Sequence, residues 1–493
     1  MDVRQSDQHQ IRLSKRAELL ARGLNPYPAR LPEPRTHFIQ DSLVKFEALV
    51  DTKEIVGLCG RIKSIRSHGG VCFADLEDNS GTIQLLLNRQ TLGTSFDDWG
   101  KSIDLGDFIE ARGRLHLTQR QEKSLRVKRY FLLTKALAPL PEKRKGLTDT
   151  ETRFRHRELD LLSNPTVKQR FVLRAGLIKS IRNYFDQLGY LEVETPILQA
   201  LPGGANARPF KTHHDALDID LYLRIAPELY LKRLLVGGYE RVYEIGRCFR
   251  NEGIDRDHSP EFTQVEFYQA YEDYQSFMGL IENLISKAVK ESAIALPLQH
   301  KGQPLSLKTP FEKVNYRDAL LKHAKIDIDK LPDVKSLGET ANKLGVDFER
   351  SFGRGKLLDA IFKYCVRPKI IQPTFVIDLP IELSPLAKRR ADNPLYAERL
   401  QLLIAGTEVA NVFSELNDPV EQRERFEAQQ ALHQAGDDEA QRLDEEYLTA
   451  LNFGLPPTAG AGLGIDRLVA ILSNAASLRE SILFPTLRGK DNA

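Results

Sequence analysis

Residues 239–274 read YERVYEIGRCFRNEGIDRDHSPEFTQVEFYQAYEDY. Two alternating runs, 241–249 and 262–270, flank a polar loop carrying Asn251, Gly253 and Asp255, which is the pattern of an antiparallel hairpin. Side chains an even number of residues apart share a strand face, so Glu244 falls with Arg250, and Gln264 falls with Glu266 and Tyr268. The expected product is a floor of fixed charges ending in an Arg-Asn-Glu tip. A solvated face of an ordinary hairpin is the competing reading, and so many functional side chains around one tip speak against it.

The wording FRNEG (249–253), HSPEF (258–262) and QVEFYQAY (264–271) closely resembles the second signature motif of class II aminoacyl-tRNA synthetases, in the form found in lysyl-tRNA synthetases. The resemblance extends over most of the chain. It implies adenylate formation, in which an amino-acid carboxylate attacks the α-phosphate of ATP and pyrophosphate leaves. That step needs two anions positioned against each other and charge stabilised on phosphoryl oxygens. An arginine fork and magnesium serve it, and no catalytic base is required.

The 493 residues give room for two or three domains. With 41% apolar and 28% charged residues the composition is that of an ordinary soluble protein, and a net charge of +2 means that a nucleic acid must be met by a local basic surface. Cys59, Cys72, Cys248 and Cys365 are scattered and form no CxxC pair, so neither a zinc site nor a disulfide framework is expected, and a reducing cytoplasm fits best. No run of about 18 apolar residues occurs and the first residues have no apolar core, which argues against a membrane span or signal peptide.

Ahead of the hairpin, residues 10–22 read as a basic amphipathic helix whose Arg12, Lys15, Arg16 and Arg22 face either tRNA phosphates or solvent. Residues 54–140 alternate short apolar segments with Gly, Asn and Ser turns, about five strands in all, as in a small barrel. The order resembles the OB-fold with which lysyl, aspartyl and asparaginyl enzymes read the anticodon. Matching to the lysyl family sets Arg66, Phe73, Gln84 and Glu122 among the anticodon contacts, where an aromatic platform and hydrogen-bonding groups suit unstacked bases. A core position for Phe73 is the alternative. A charged linker, 141–149, separates this domain, expected at 1–143, from a catalytic domain at 144–493. The expected fold class is α+β: an N-terminal OB-fold barrel, then a class II catalytic domain with an antiparallel sheet flanked by helices.

In the second domain Phe171, Ala175, Ile178, Ile181, Phe185 and Leu188 recur at helical spacing, and YLEVETP (190–196) follows. This resembles the first class II motif, which implies a homodimer. Gly203 and Gly204 permit close backbone approach to a ligand. APELYLKRL (226–234) is a loop entering a helix with Glu228 near its start; an acidic first turn explains Glu228 equally well on its own. Residues 304–366 carry no readable chemistry. The apolar run in QPTFVIDLPIELSPLAK (372–388) suggests a buried central strand, and 420–449 a charged helical hairpin. GLPPTAGAGLGIDRL (454–468) resembles the third class II motif, with Arg467 where strand becomes helix. It follows no βαβ unit, so it is not read as a dinucleotide fingerprint.

The resemblance implies the following roles. Arg250 bridges the α-phosphate and the substrate carboxylate; Glu252, His258 and Phe262 meet the adenine amine, the distal phosphates and the purine face; Arg467 binds the γ-phosphate. Glu228, Glu266, Tyr268, Asn411, Phe413 and Glu415 form an acidic lysine pocket lined by Gly204 and Gly462, with its carboxylates mutually repelling until lysine enters. Family members hold magnesium between two glutamates seven residues apart. This chain has Glu408 but Gln401, and an amide brings no charge, so weaker metal binding is expected. Ser259 and Val412 also depart from the family pattern. The implied activity is ATP-dependent charging of lysine tRNA with L-lysine by a cytoplasmic homodimer with no membrane contact. A paralogue lysylating another acceptor, or a tRNA-binding protein with reduced aminoacylation, are the alternatives.

Overall fold

The structure is a computed structural model that describes residues 7–141, 147–255, 258–292, 294, 298–349 and 352–489. The chain divides into two compact units, Met1–Thr148 and Asp149–Ala493. The expected boundary at 143/144 and most of the charged linker lie outside the described residues.

The first unit opens with helix α1 (Asp7–Ala21). Strands β1 (Val56–His68), β2 (Val71–Glu77), β3 (Thr82–Asn88), β4 (Phe108–Leu117) and β5 (Lys123–Thr134) then close into a barrel in the order β1-β2-β3-β5-β4. Alternation does the sorting: Cys72, Ala74 and Leu76 of β2 and Ile83, Leu85 and Leu87 of β3 point into the core, and the residues between them point out. Arg12 and Lys15 on the basic face of α1 are engaged within the unit, which corrects the expectation for those two, while Arg22 stays exposed. Arg12 donates to the carbonyls of Ala136 and Ala138 at 3.0 and 2.9 Å, Lys15 pairs with Asp104 at 2.7 Å, and Arg22 pairs with Asp98 at 3.0 Å.

The second unit is built on an eight-stranded sheet. Its elements in chain order are α2 (Pro165–Gln187), β6 (Leu191–Glu192), α3 (Glu228–Val236), β7 (Arg241–Phe249), β8 (Glu261–Ala270), α4 (Ser276–Glu291), β9 (Glu312–Asn315), α5 (Arg354–Cys365), β10 (Thr374–Ile377), β11 (Arg399–Ile404), β12 (Thr407–Ser414), α6 (Pro419–Gln434), α7 (Glu445–Leu451), β13 (Thr458–Gly464) and α8 (Ile465–Leu472). The sheet runs β9-β10-β11-β12-β13-β8-β7-β6, antiparallel except for the parallel pairs at its two edges. The hairpin read from the sequence is β7–β8, with Glu244 opposite Glu266.

One face of this sheet is apolar and covered by α2, α4 and α8: Val265 and Phe267, Leu400 and Leu402, and Ala461 and Leu463 pack against Ile181, Phe185, Ile281 and Leu468. Val412 lies in this core, so its departure from the family pattern faces the helices. The buried seam of α2 is Leu177, Ile181 and Phe185, while Ala175 and Leu188 are exposed. Ile181 and Phe185 of the expected stripe are thus in the core and Ile178 packs against it, so the stripe holds there and fails at Ala175 and Leu188. The run at 372–388 holds the buried inner strand expected of it: β10 is paired on both sides, with the edge strand β9 and with β11. It is apolar because Phe375 joins the main core while Val376 joins a second core built from the 316–370 helices. The charged hairpin is α6 and α7, each N-capped by an aspartate, Asp418 accepting from the Val420 amide and Asp444 from the Tyr447 amide.

Candidate active site

The second sheet face carries the polar half of each strand's alternation. Gln264, Glu266 and Tyr268 of β8, Asn411 and Phe413 of β12, Arg399 and Gln401 of β11 and the glycines of β13 line a cleft of about 450 Å³. Of the period-2 glycines of β13, Gly460 has a steric cause, while a Cβ at Gly462 or Gly464 would make only ordinary contacts. A Cβ on Gly460 would collide with the Glu415 carboxylate and the Tyr268 ring, so the strand at this point accepts only glycine. Gly462 lies opposite Glu266 across the β8–β13 pair. Gly204 adopts φ +84°, and a Cβ there would stand 2.8 Å from Glu228 Cβ. What approaches the loop at Gly203 and Gly204 is thus the start of α3, through Leu229 and Glu228, although Gly204 also lines the cleft.

At one end the cleft is acidic. Glu228 opens α3 and is buried, as is Glu266, which accepts from Gln264 Nε2 at 2.6 Å and from the Tyr268 hydroxyl at 3.2 Å. Burial, reinforced by the charge of Glu228, pushes the Glu266 carboxyl up to about 8. Burial raises Glu228 and Glu415 as well, against the pull of a lysine that sequence reading passed over. That lysine is Lys232, fully buried one turn after Glu228. Its Nζ lies 2.6 Å from Glu228 Oε1, pairs with Glu415 Oε2, and stands 5.3 Å from the Phe413 ring centroid. Burial works against its charge, but the two carboxylates outweigh burial and hold it charged. The expectation of mutually uncompensated carboxylates is thereby corrected, since Lys232 already neutralises two of the three. The i,i+4 Glu-Lys spacing in PELYLK was the available signal. Glu415 is not among the cleft-lining residues; it lies behind Gly460, with its Oε1 buried and without a hydrogen-bond partner.

The other end is cationic. Arg250 follows β7, its guanidinium carbon 5.0 Å from the centroid of Phe262, and its Nε is buried without a partner. Glu252, His258, Phe262 and Ser259 line the same wall; His258 Nδ1 lies 2.9 Å from Asp255 Oδ2. Glu244, expected beside Arg250, is not in the cleft. It stands on the same sheet face, opposite Glu266, but is buried against Arg224 and accepts from the Thr195 hydroxyl. From the far side come Arg467, in the first turn of α8, whose Nη1 donates to the Glu408 carbonyl at 3.0 Å, and Arg399, whose Nε donates to Asn411 at 2.9 Å. The stretch that showed no chemistry in the sequence contributes Tyr316, Asp359 and Lys363 to the wall, and Arg367 follows directly after it.

Gln401 and Glu408 stand together on β11 and β12. Glu408 Oε2 accepts from Arg367 Nη2 at 2.7 Å and from Gln401 Nε2 at 3.2 Å. Burial would raise the Glu408 carboxyl, but Arg367, Arg467 and Arg399 outweigh it and hold the group below its ordinary range. Among the described residues no three His, Cys, Asp or Glu side chains converge on a metal position. One carboxylate already paired with a guanidinium, beside an amide that donates to it, does not fit a protein-held divalent cation.

On the barrel of the first unit, Arg66 pairs with Phe73 across β1–β2, Asp75 with Gln84 across β2–β3, and Gln84 with Ser124 across β3–β5. All of these point away from the core, so Phe73 is an outward, half-buried platform and not a core residue. Gln84 Oε1 accepts from Ser124 Oγ at 3.0 Å, and Glu122 is exposed just before β5.

Comparison with known proteins follows this division. Residues 149–488 match the family described as tRNA synthetases class II (D, K and N), and residues 56–133 match the OB-fold nucleic acid binding domain. The chain is 46% identical over 487 residues to the lysine–tRNA ligase of Moorella thermoacetica, with 99% of both chains covered. It is 47% identical to that of Roseiflexus castenholzii, covering 98% of this chain and 99% of the relative, and 44% identical to that of Bacillus subtilis, covering 98% and 97%.

Proposed function

The chain belongs to the class II tRNA synthetases, within the lysine–tRNA ligases, and from that premise we propose how its residues carry the reaction. The enzyme activates L-lysine with ATP and transfers the lysyl group to the 3′ end of lysine tRNA. In the first step a lysine carboxylate oxygen bonds to the α-phosphorus, the bond from that phosphorus to the β-bridging oxygen breaks, and pyrophosphate leaves. In the second step a terminal ribose hydroxyl of the tRNA attacks the lysyl carbonyl and AMP leaves.

One observation carries the residue assignment: buried carboxylates and a set of guanidinia line one cleft. In this reading the ε-ammonium of lysine enters among Glu266, Tyr268 and Glu228, with the unpartnered Glu415 Oε1 behind Gly460 as its deepest acceptor. Asn411 and Phe413 bound the aliphatic stem, and Gly204 and Gly462 leave room for it. Lysine's α-carboxylate then faces Arg250, whose unpartnered Nε and planar fork suit a bridge between that carboxylate and the α-phosphate. Phe262 takes the purine face, Glu252 the exocyclic amine, and His258 and Arg467 the distal phosphates. Glu408 orients Arg467 and Arg367. Magnesium enters as part of the MgATP substrate, offsetting phosphate charge.

We further propose a homodimer, supported by the apolar residues exposed after α2, among them Leu191, Ile197 and Leu198, the last 47% exposed. A cytoplasmic location follows from the substrates, ATP and tRNA. No helix among the described residues is long and apolar enough to cross a membrane. Neither alternative activity is favoured by any feature of the site.

The acidic pocket is tested through its proton. Glu266, pushed up to about 8, is protonated at neutral pH in the free enzyme, whereas a bound ammonium favours the ionised form. Lysine binding therefore releases a proton, and Kd falls by about tenfold per pH unit as pH rises towards 8, levelling above it. Titration calorimetry between pH 6 and 8.5 checks this; Glu266→Gln is expected to bind lysine weakly with a flat profile. A flat profile in the unaltered enzyme contradicts the assignment.

The barrel face is tested separately. Phe73→Ala is expected to weaken tRNA charging by about 1–3 kcal/mol through lost base stacking, while lysine-dependent pyrophosphate exchange, which needs no tRNA, stays within about twofold. Equal loss of both activities would show that Phe73 serves the fold.

A further inference from the structure

We infer that Arg367 grips the distal phosphates of ATP and supplies there the positive charge that a protein-held divalent cation would otherwise bring. Four observations lead to this. Arg367 lines the cleft from the short helical turn Arg367–Lys369 that follows α5. Its Nη2 is anchored on Glu408 Oε2 at 2.7 Å, but its Nε is buried and has no partner, so the guanidinium is oriented by one edge with donor capacity left over. Gln401 donates its amide to the same Glu408 oxygen and brings no charge of its own. Arg467 holds the backbone carbonyl of Glu408 from the other side, so two guanidinia flank this one residue at the end of the cleft away from the acidic pocket.

Electrostatics then decides the occupant. A lone carboxylate between two guanidinia leaves a local excess of positive charge, which repels a cation and attracts a polyanion. A guanidinium offers phosphate two parallel N–H donors, whereas the Glu408 carboxylate, whose Oε2 already accepts from Arg367 and Gln401, leaves a cation only Oε1. Arg367 therefore does permanently, without dissociating, what a second cation would do on loan. It also accounts for an amide at Gln401, because a carboxylate there would compete with ATP for Arg367.

The inference rests on reading this cleft as an ATP site, and the test separates the two. Binding of an α,β-methylene ATP analogue is measured by calorimetry in saturating Mg²⁺ and again in EDTA, for the unaltered protein, Arg367→Ala and Arg367→Lys. The unaltered protein is expected to bind under both conditions. Arg367→Ala is expected to lose about tenfold or more in EDTA but about threefold or less in Mg²⁺, since the added cation then reaches the freed Glu408. If Arg367→Ala fails to fold, Arg367→Lys decides, with a loss of about threefold or more in EDTA expected from the missing fork and a smaller one in Mg²⁺. Equal losses with and without Mg²⁺, or none in EDTA, overturn the role of Arg367. Failure of the unaltered protein to bind the analogue in Mg²⁺ overturns the ATP reading itself.

Discussion

Arg250→Ala is expected to lower lysine-dependent ATP–pyrophosphate exchange by about 10³–10⁵-fold, the range seen when an arginine that stabilises a phosphoryl transition state is removed. Arg250 is held in place before substrate arrives: its ring partner Phe262 lies 5.0 Å away, and its backbone amide is tied to the Pro260 carbonyl at 2.9 Å. Little reorganisation is then needed as charge develops on the α-phosphoryl oxygens. Arg250→Lys keeps the charge but loses the fork, and is expected to recover only a small part of the rate. A loss below about tenfold in Arg250→Ala would remove this residue from the reaction centre.

Lys232→Met carries the second large effect, on the fold as well as the pocket. Lys232 is the counter-ion of both Glu228 and Glu415 in a fully buried position. Breaking a buried ion pair from one side costs about 3–5 kcal/mol because the remaining charge has nowhere to go. The expected result is a lower denaturant midpoint together with loss of lysine activation. Adding Glu415→Gln to Lys232→Met removes one stranded charge and is expected to recover part of the stability but not the activity. An unchanged midpoint in Lys232→Met would mean that the glutamates of this pocket are protonated and need no counter-ion.

The parts of this molecule that were legible in sequence are those governed by short-range rules. The β7–β8 hairpin has strict period-2 alternation around a polar tip, and its two strands lie within a residue of where the alternation puts them. The strand-to-helix turn before Arg467 is marked by alternating glycines, and for Gly460 the structure gives the reason: Glu415 and Tyr268 occupy the space a side chain would need. The failures have physical causes too. Alternation puts Glu244 on the cleft-side face, where the structure has it opposite Glu266, but alternation does not reveal that Arg224, 20 residues earlier, pairs with it and keeps it out of the cleft. The stripe read on α2 holds at Ile178, Ile181 and Phe185 and fails at Ala175 and Leu188, which helical spacing alone does not set apart from them. Charges on α1 look solvated in sequence because their partners, such as Asp104 and the Ala136 carbonyl, lie about ninety residues or more away.

The cleft was legible mainly on the side built from motif residues. Lys232 was hidden because a Glu-Lys pair four apart reads first as surface decoration, and only burial reveals it as part of the pocket. Arg367 sits just past a stretch with no periodic signal, and its significance comes from Glu408, 41 residues later in the chain. Long-range pairing of this kind leaves no trace in local pattern.

The acidic end of this cleft selects lysine for activation at the guanidinium end. ATP–pyrophosphate exchange with each of the twenty amino acids in turn, at equal low concentration, tests it most directly. The predicted result is exchange with lysine alone, abolished or shifted to much higher lysine concentration in Glu266→Gln. Exchange driven by an anionic or neutral amino acid, or lysine kinetics unchanged in Glu266→Gln, would contradict it.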